Sequence, residues 1–225
     1  WGSLARKLAH EIKNPLTPIQ LTIDRLKNKY SSGLNEKDKE NFSENLKVIN
    51  NQIKQIEKLV NEFSDFARMP KPIFRKNNLV DLIYENIKLL KELDNSIDIK
   101  FIKNFDEIFL ESDKEQISRV FLNLIKNSIE SINQKAQNNN NFNKKITIEL
   151  TKDDSHISAT IEDNGIGFNE LKNNIKDILN PYFTTKKNGT GLGLSIVNKI
   201  VNDHNGKINF IPIKNGAKVN IIFFK

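Results

Sequence analysis

The chain has no cysteine, one methionine and one tryptophan among its 225 residues. Without cysteine it has neither disulfides nor thiolate metal sites. It has no run of eighteen apolar residues, so no segment reads as a membrane span. No secretory leader pattern is visible, and the first residues already follow a helical pattern. Glycine and proline number only nine and six, which makes the places where they cluster informative. Charge is plentiful, with 35 Lys and Arg against 28 Asp and Glu for a net +7. The basic residues are scattered and do not interleave with aromatics, so nucleic acid is not indicated as a partner. The charge reads as solvated surface, with attraction of anions as the alternative.

Met69-Pro70-Lys71-Pro72 divides the chain, because two prolines around one lysine cannot continue a helix. Residues 1–70 read as a helical hairpin. One helix carries Leu4, Leu8, Ile12, Leu16, Ile19, Ile23 and Leu26. The other carries Phe42, Leu46, Ile49, Ile53, Ile56, Val60 and Phe63 in alternating steps of four and three. Tyr30 to Asn41, with Ser31-Ser32-Gly33 and many charges, reads as the loop between them. A lone hairpin leaves apolar surface uncovered, and pairing two copies into a four-helix bundle covers it. Residues 71–225 read as α+β. Helices are expected over Leu79–Leu93, from an Asp113 cap with Gln116 three residues on to about Lys135, and over Leu192–Asp203. Strands are expected over Ile97–Ile102, Ile108–Leu110, Ile146–Leu150, His156–Glu162, Lys207–Ile213 and Ala217–Phe224. Gln137 to Asn143 is low-complexity and reads as a loop.

His10 lies two residues from both Leu8 and Ile12, so it points about 160° away from each. Glu11 beside it can act as a base or orient the imidazole. Asn14, one turn on, can hold a water near it. Pro15 and Pro18 should free the carbonyls of Glu11 and Asn14 and kink the helix, each costing about 3 kcal/mol in a helix interior.

The helix begun by Asp113 aligns Gln116, Arg119, Asn123, Asn127 and Glu130 on one face. That face is either simply solvated or the wall of a nucleotide site whose amide oxygens serve Mg2+. Asp163-Asn164-Gly165-Ile166-Gly167 follows a strand directly. It is either an ordinary turn or a place where Asp163 accepts from an adenine amino group. Gly189-Thr190-Gly191-Leu192-Gly193-Leu194 enters a helix, where backbone N–H groups can cradle phosphates. It fits neither the Walker nor the Rossmann pattern. Pro181-Tyr182-Phe183-Thr184-Thr185-Lys186 lies between them in a poorly periodic stretch that suits a lid.

Taken in order, these segments resemble the sensor histidine kinases of two-component systems over nearly the whole chain. His10 to Pro15 resembles the H-box and Asn123 to Glu130 the N-box. Asp163 to Gly167 resembles the first glycine box, Pro181 to Lys186 the F-box, and Gly189 to Leu194 the second glycine box. Glu62 to Pro72 is similar to the NtrY branch of nitrogen-type sensor kinases. Ser128 stands where alanine is frequent, and Asn205 where glycine is frequent, which puts a local turn in doubt.

The resemblance implies an all-α hairpin, dimeric as a four-helix bundle, for dimerisation and histidine phosphotransfer (residues 1–70). A catalytic ATP-binding domain with the two-layer α+β Bergerat (GHKL) sandwich follows (residues 71–225). It implies ATP-dependent phosphorylation of His10, assisted by Glu11, then transfer to an aspartate of a response regulator receiver domain. Asn14 would position water for regulator dephosphorylation. Asn127 with Asn123 would hold Mg2+ and Asp163 would bind adenine. Phe183, Thr184, Thr185 and Lys186 and the Gly189, Thr190, Gly191, Leu192, Gly193 and Leu194 loop would close over the phosphates. Movement across Pro70–Pro72 is part of that expectation. So are a sensor region and membrane anchor preceding Trp1, which would leave this chain as the cytoplasmic portion of a bacterial inner-membrane kinase. Two other readings compete: an ATPase clamp of the same superfamily and a dimeric scaffold that binds no ATP. Clamping ATPases place a water-activating glutamate where this chain has Asn123.

Overall fold

The structure, a computed structural model, describes residues 2–137, 141–168, 179 and 191–224. The chain separates into two compact units: of the described residues, 2–70 with 191 and 192 fall in the first, and 71–137, 141–168, 179 and 193–224 in the second. Among the described residues no helix is long and apolar enough to cross a membrane.

The first unit is a hairpin of α1 (Gly2–Tyr30) and α2 (Glu36–Ala67), joined by a 3-10 turn at Ser31–Gly33. Helix α2 starts well before the expected end of the loop. Asn35 caps it by accepting the Asp38 N–H at 2.9 Å, and Glu36 and Asp38 sit favourably at the positive end of the helix dipole. The charges that suggested a loop are therefore first-turn charges. Pro15 and Pro18 lie inside α1, which continues through both. The Pro18 carbonyl accepts the Thr22 hydroxyl at 2.8 Å.

The apolar series of the two helices divide in the structure. Ala9, Leu16 and Ile23 on α1, and Leu46, Ile53 and Val60 on α2, are buried at strict seven-residue spacing. Leu16, Ile23, Leu46 and Ile53 form one cluster, with Phe42 against it. The intervening members Leu8, Ile12, Ile19 and Leu26, with Ile49 and Ile56, are 37–46% exposed. A single hairpin can bury only one residue of each four-and-three pair.

In the second unit a mixed five-stranded sheet has the order β2-β4-β5-β7-β6. Its strands are β2 (Asp98–Lys103), β4 (Lys145–Lys152), β5 (His156–Asp163), β6 (Gly206–Pro212) and β7 (Ala217–Phe224). Only the β2–β4 pair is parallel. Burial alternates residue by residue along β5, with Ile157, Ala159, Ile161 and Asp163 inward. Such alternation means that one face is core. Helices α3 (Leu79–Leu93), α4 (Lys114–Ala136) and α5 (Gly193–Asp203) supply the second layer, making a two-layer α+β sandwich. Phe121 of α4 and Phe223 of β7 are fully buried in it.

A short strand, β1 (Arg75–Asn78), pairs antiparallel with β3 (Phe109–Ser112). Its sequence Arg-Lys-Asn-Asn has no apolar alternation. Pairing makes it a strand, helped by the Asn77 amide donating to the Ser112 carbonyl at 2.7 Å. The turn after α5 is kept: Asn205 takes a left-handed φ of 53°, which asparagine tolerates better than most residues.

The tight turn between β4 and β5 carries a titrating group. Asp153 Oδ1 accepts the N–H groups of His156 and Ser155, each at 2.8 Å, which pulls the carboxyl down to about 2. A depressed acid contributes stability above its unfolded value of about 4 and loses it as pH falls toward the folded value. In urea titrations the wild type should be more stable than Asp153→Asn at pH 6. The gap should close as pH falls from about 4 toward 2; a gap independent of pH would refute the carboxylate's role.

Candidate functional site

On α1, His10, Glu11 and Asn14 are all exposed. The helix turns Ala9 and Leu16 inward, which leaves His10 on the outer surface. The wheel argument therefore gives the right outcome for His10, although the inward residues of the hairpin are Ala9 and Leu16 and not Leu8 and Ile12.

In the second unit, Asp113 begins α4. Its Oδ1 accepts the Gln116 N–H at 3.1 Å and its Oδ2 accepts the Ile73 N–H at 2.9 Å. Its own N–H donates to His204 Nε2 at 3.0 Å, and His204 Nδ1 lies 2.8 Å from the Ile200 carbonyl. His204, 4% exposed, thus takes the place that a reciprocal glutamine would fill in a capping box. One contact set thereby fixes the starts of β1 and α4 and the end of α5.

The polar face of α4 meets the start of α5. The Asn123 amide nitrogen donates back to the Arg119 carbonyl at 2.9 Å, which leaves Oδ1 outward. A Cβ built on Gly193 would sit 3.6 Å from that oxygen. Asn123 thus faces the N-terminal end of α5, and Gly191 before it has a left-handed φ of 70°. Asn127 is half-buried and Glu130 exposed. Leu192 is fully buried and Leu194 half-buried. Phe183, Thr184, Thr185, Lys186, Gly189 and Thr190 lie outside the described residues.

Asp163 ends β5 on the inward phase of the strand, which is why a carboxylate sits in an apolar layer at 6% exposure. Burial pushes its carboxyl above the ordinary value. The Gly165 N–H, the Ser128 hydroxyl, the Ala217 N–H and the Lys135 charge act in the opposite direction. The Gly165 contact measures 2.9 Å. The glycines here make close approach to the protein's own backbone. A Cβ on Gly165 would lie 2.7–2.8 Å from backbone atoms of Ser131 and Ile132, and one on Gly167 (φ 75°) would lie 2.3 Å from the Gly216 carbonyl oxygen.

Ser131 and Lys135, which bond the loop after Asp163, carry no motif signal in the sequence, because their partners lie 29–35 residues away. An open cleft of about 590 Å³ between α3 and β2, lined by Tyr84, Lys88, Lys91 and Phe101, includes none of the residues described above.

These residues bring together the start of α5, the amide oxygen of Asn123 and, at the end of β5, a buried carboxylate. Residues 112–225 match the model of the histidine kinase-, DNA gyrase B- and HSP90-like ATPases, and residues 1–72 that of the His Kinase A (phospho-acceptor) domain. The chain belongs to this ATPase family, with the match to the phospho-acceptor domain lying ahead of it in the chain.

Within it, the chain is 40% identical over 99% of its length to an NtrY-like sensor histidine kinase of Rickettsia prowazekii. It spans about a third of that relative, 36%. The catalytic domain of histidine kinase ThkA matches 68% of this chain and 96% of its own at 31% identity, with a TM-score of 0.59. ThkA in complex with the response regulator protein TrrA matches 100% of this chain and 61% of its own, at 28% identity and a TM-score of 0.67.

Proposed function

We propose that the chain uses ATP to phosphorylate His10 and passes the phosphoryl group to an aspartate of a receiver domain. The observation that carries this reading is one polypeptide holding exposed His10, Glu11 and Asn14 and, in its other unit, a buried Asp163 at the end of β5 and Asn123 beside the start of α5. The two domains are the hairpin of residues 1–70 and the ATP-binding sandwich of residues 71–225.

The donor set fits MgATP. Asp163 accepts from the adenine amino group. Asn127 and Asn123 offer amide oxygens to Mg2+, which takes phosphate oxygens and waters as its other ligands. The N–H groups from Gly191 to Leu194 face anions, with Thr184, Thr185 and Lys186 closing over the phosphates. Bound nucleotide supplies the phosphoryl group, and the chain's own work is positioning and charge neutralisation. Glu11 takes or orients the imidazole proton of His10. Asn14 holds a water for dephosphorylating the regulator.

The clamp reading is disfavoured by Asn123. An amide anchored to the Arg119 carbonyl cannot act as a base on water. The apolar residues left exposed on α1 and α2 support a homodimer, since a second hairpin would bury them. A sensor region and membrane anchor outside this chain belong to the same proposal, in keeping with a relative named a sensor histidine kinase of which the chain spans 36%.

The test presents the MgATP-labelled chain to a panel of receiver domains. Rapid loss of label to one of them, with acid-labile label on the donor, is expected. Steady ATP turnover without protein labelling would overturn the proposal in favour of a clamp.

A further inference from the structure

Helices α4 and α5 pack side by side. Asn123 of α4 faces Gly193 at the start of α5, while Asp113 at the start of α4 meets His204 just past the end of α5. The two helices therefore run antiparallel and are joined at one end. Asn123 stands ten residues after Asp113, and Gly193 stands eleven residues before His204. At about 1.5 Å per residue each arm is about 15–17 Å long. Nearly equal arms bring the amide oxygen of Asn123 level with the start of α5. The gap there is narrow, since a Cβ added to Gly193 would lie 3.6 Å from that oxygen.

The joint is made by one imidazole. His204, 4% exposed, accepts the Asp113 N–H on Nε2 at 3.0 Å. Nε2 must then carry a lone pair, so the proton of the neutral ring sits on Nδ1 and donates to the Ile200 carbonyl at 2.8 Å. One nitrogen is tied to α5 and the other to α4, which fixes the ring between them. Phe74 covers it edge-on, with ring centres 5.2 Å apart. The Asp113 carboxylate accepts the Ile73 N–H at 2.9 Å, which holds the chain beside Phe74 in place.

We propose that His204 is a positioning residue for the phosphate end of the nucleotide, fixing how far the start of α5 stands from the amides of α4. The inference rests on the reading of Asn123 and the Gly191–Leu194 backbone as the Mg2+ and phosphate site. His204 lies at the opposite end of both helices and acts through them.

Without the acceptor on His204, the Asp113 N–H loses its partner and the helix ends lose the bond that joins them. The far ends can then splay, and each binding of phosphate must order them again, which costs affinity. The base end is separate. Asp163 lies at the end of β5, and the loop after it is held by Ser131 and Lys135, farther along α4 than Asn123. These bonds join α4 to the loop and do not involve α5. Loosening the joint therefore acts on the phosphates and spares the adenine.

The test measures dissociation constants of ADP with Mg2+ and of adenosine on the whole 225-residue chain, by competition with a fluorescent ATP analogue. His204→Leu keeps apolar bulk beside Phe74 but cannot accept. It should weaken ADP by roughly threefold to tenfold, the size of one hydrogen bond, and leave adenosine unchanged. His204→Gln offers an amide oxygen to the Asp113 N–H and should return ADP to the wild-type affinity. Equal weakening of both ligands, or a His204→Gln chain as weak as His204→Leu, would show a merely structural histidine and overturn the inference. A second measurement needs no substitution. Coupling is reciprocal, so ADP should slow amide exchange at Asp113 and Ile73 in the wild type more than adenosine does. Equal exchange with the two ligands would also overturn the inference. In either of these failures, wild-type chain that binds ADP more tightly than adenosine leaves the phosphate reading standing. Wild-type chain that binds ADP no more tightly than adenosine would bring down both.

Discussion

His10→Gln chain incubated with MgATP will carry no acid-labile, alkali-stable phosphate, while wild-type chain labels. A phosphoryl group on imidazole nitrogen has that lability pattern, and glutamine keeps polarity and approximate size but has no nucleophilic ring nitrogen. Neutral imidazole is already a competent nucleophile near neutral pH, so removing it removes the acceptor itself. The expected effect is complete loss of label. The substitution is exposed on α1, so stability should change by less than about 0.5 kcal/mol. ATP binding by the second unit should persist. Labelling of His10→Gln at the wild-type level would show that the acceptor lies elsewhere.

Asp163→Asn should lower ATP affinity by about tenfold to a hundredfold, the range for a hydrogen bond to a charged group, measured by calorimetry at neutral pH. The same change should raise stability. Burial raises the folded-state acid above its unfolded value, so protonation is linked to folding, and the stability it brings at low pH is lost as pH rises through the folded value. An asparagine escapes that loss, keeps an oxygen for the Gly165 N–H, and should unfold at higher urea than wild type at pH 7. The acid-side fall in ATP binding should disappear with the carboxylate. Weaker binding with weaker folding would instead mean that Asp163 mainly holds the loop together.

The elements that could be read from the sequence share a local cause. Asp113 caps α4 because its side chain reaches an N–H three residues on, and Leu79–Leu93 is helical over the expected span. Strand β5 shows its alternation in eight residues. What escaped depends on partners far along the chain. Arg75–Asn78 is a strand only because Phe109–Ser112 lies beside it. The N–H of Asp113 is satisfied by a histidine 91 residues away, not by the glutamine three residues on. The four-and-three spacing reveals a packed hairpin but not which member of each pair faces the sister helix. For the site, Asn123 and Asp163 were legible through their motifs, whereas Ser131 and Lys135 act on backbone carbonyls and N–H groups, which leave no residue-type signature.

The inward phase of β5 makes the protein's tolerance of length change uneven. Deleting one residue between His156 and Glu162 would shift the parity of every later side chain against its ladder partners and turn Asp163 from the helix-covered face to the other. A family drifting by insertion and deletion must therefore hold this eight-residue strand at constant length. Asn141, Phe142 and Asn143, just ahead of β4, lie in no strand and carry no such parity constraint.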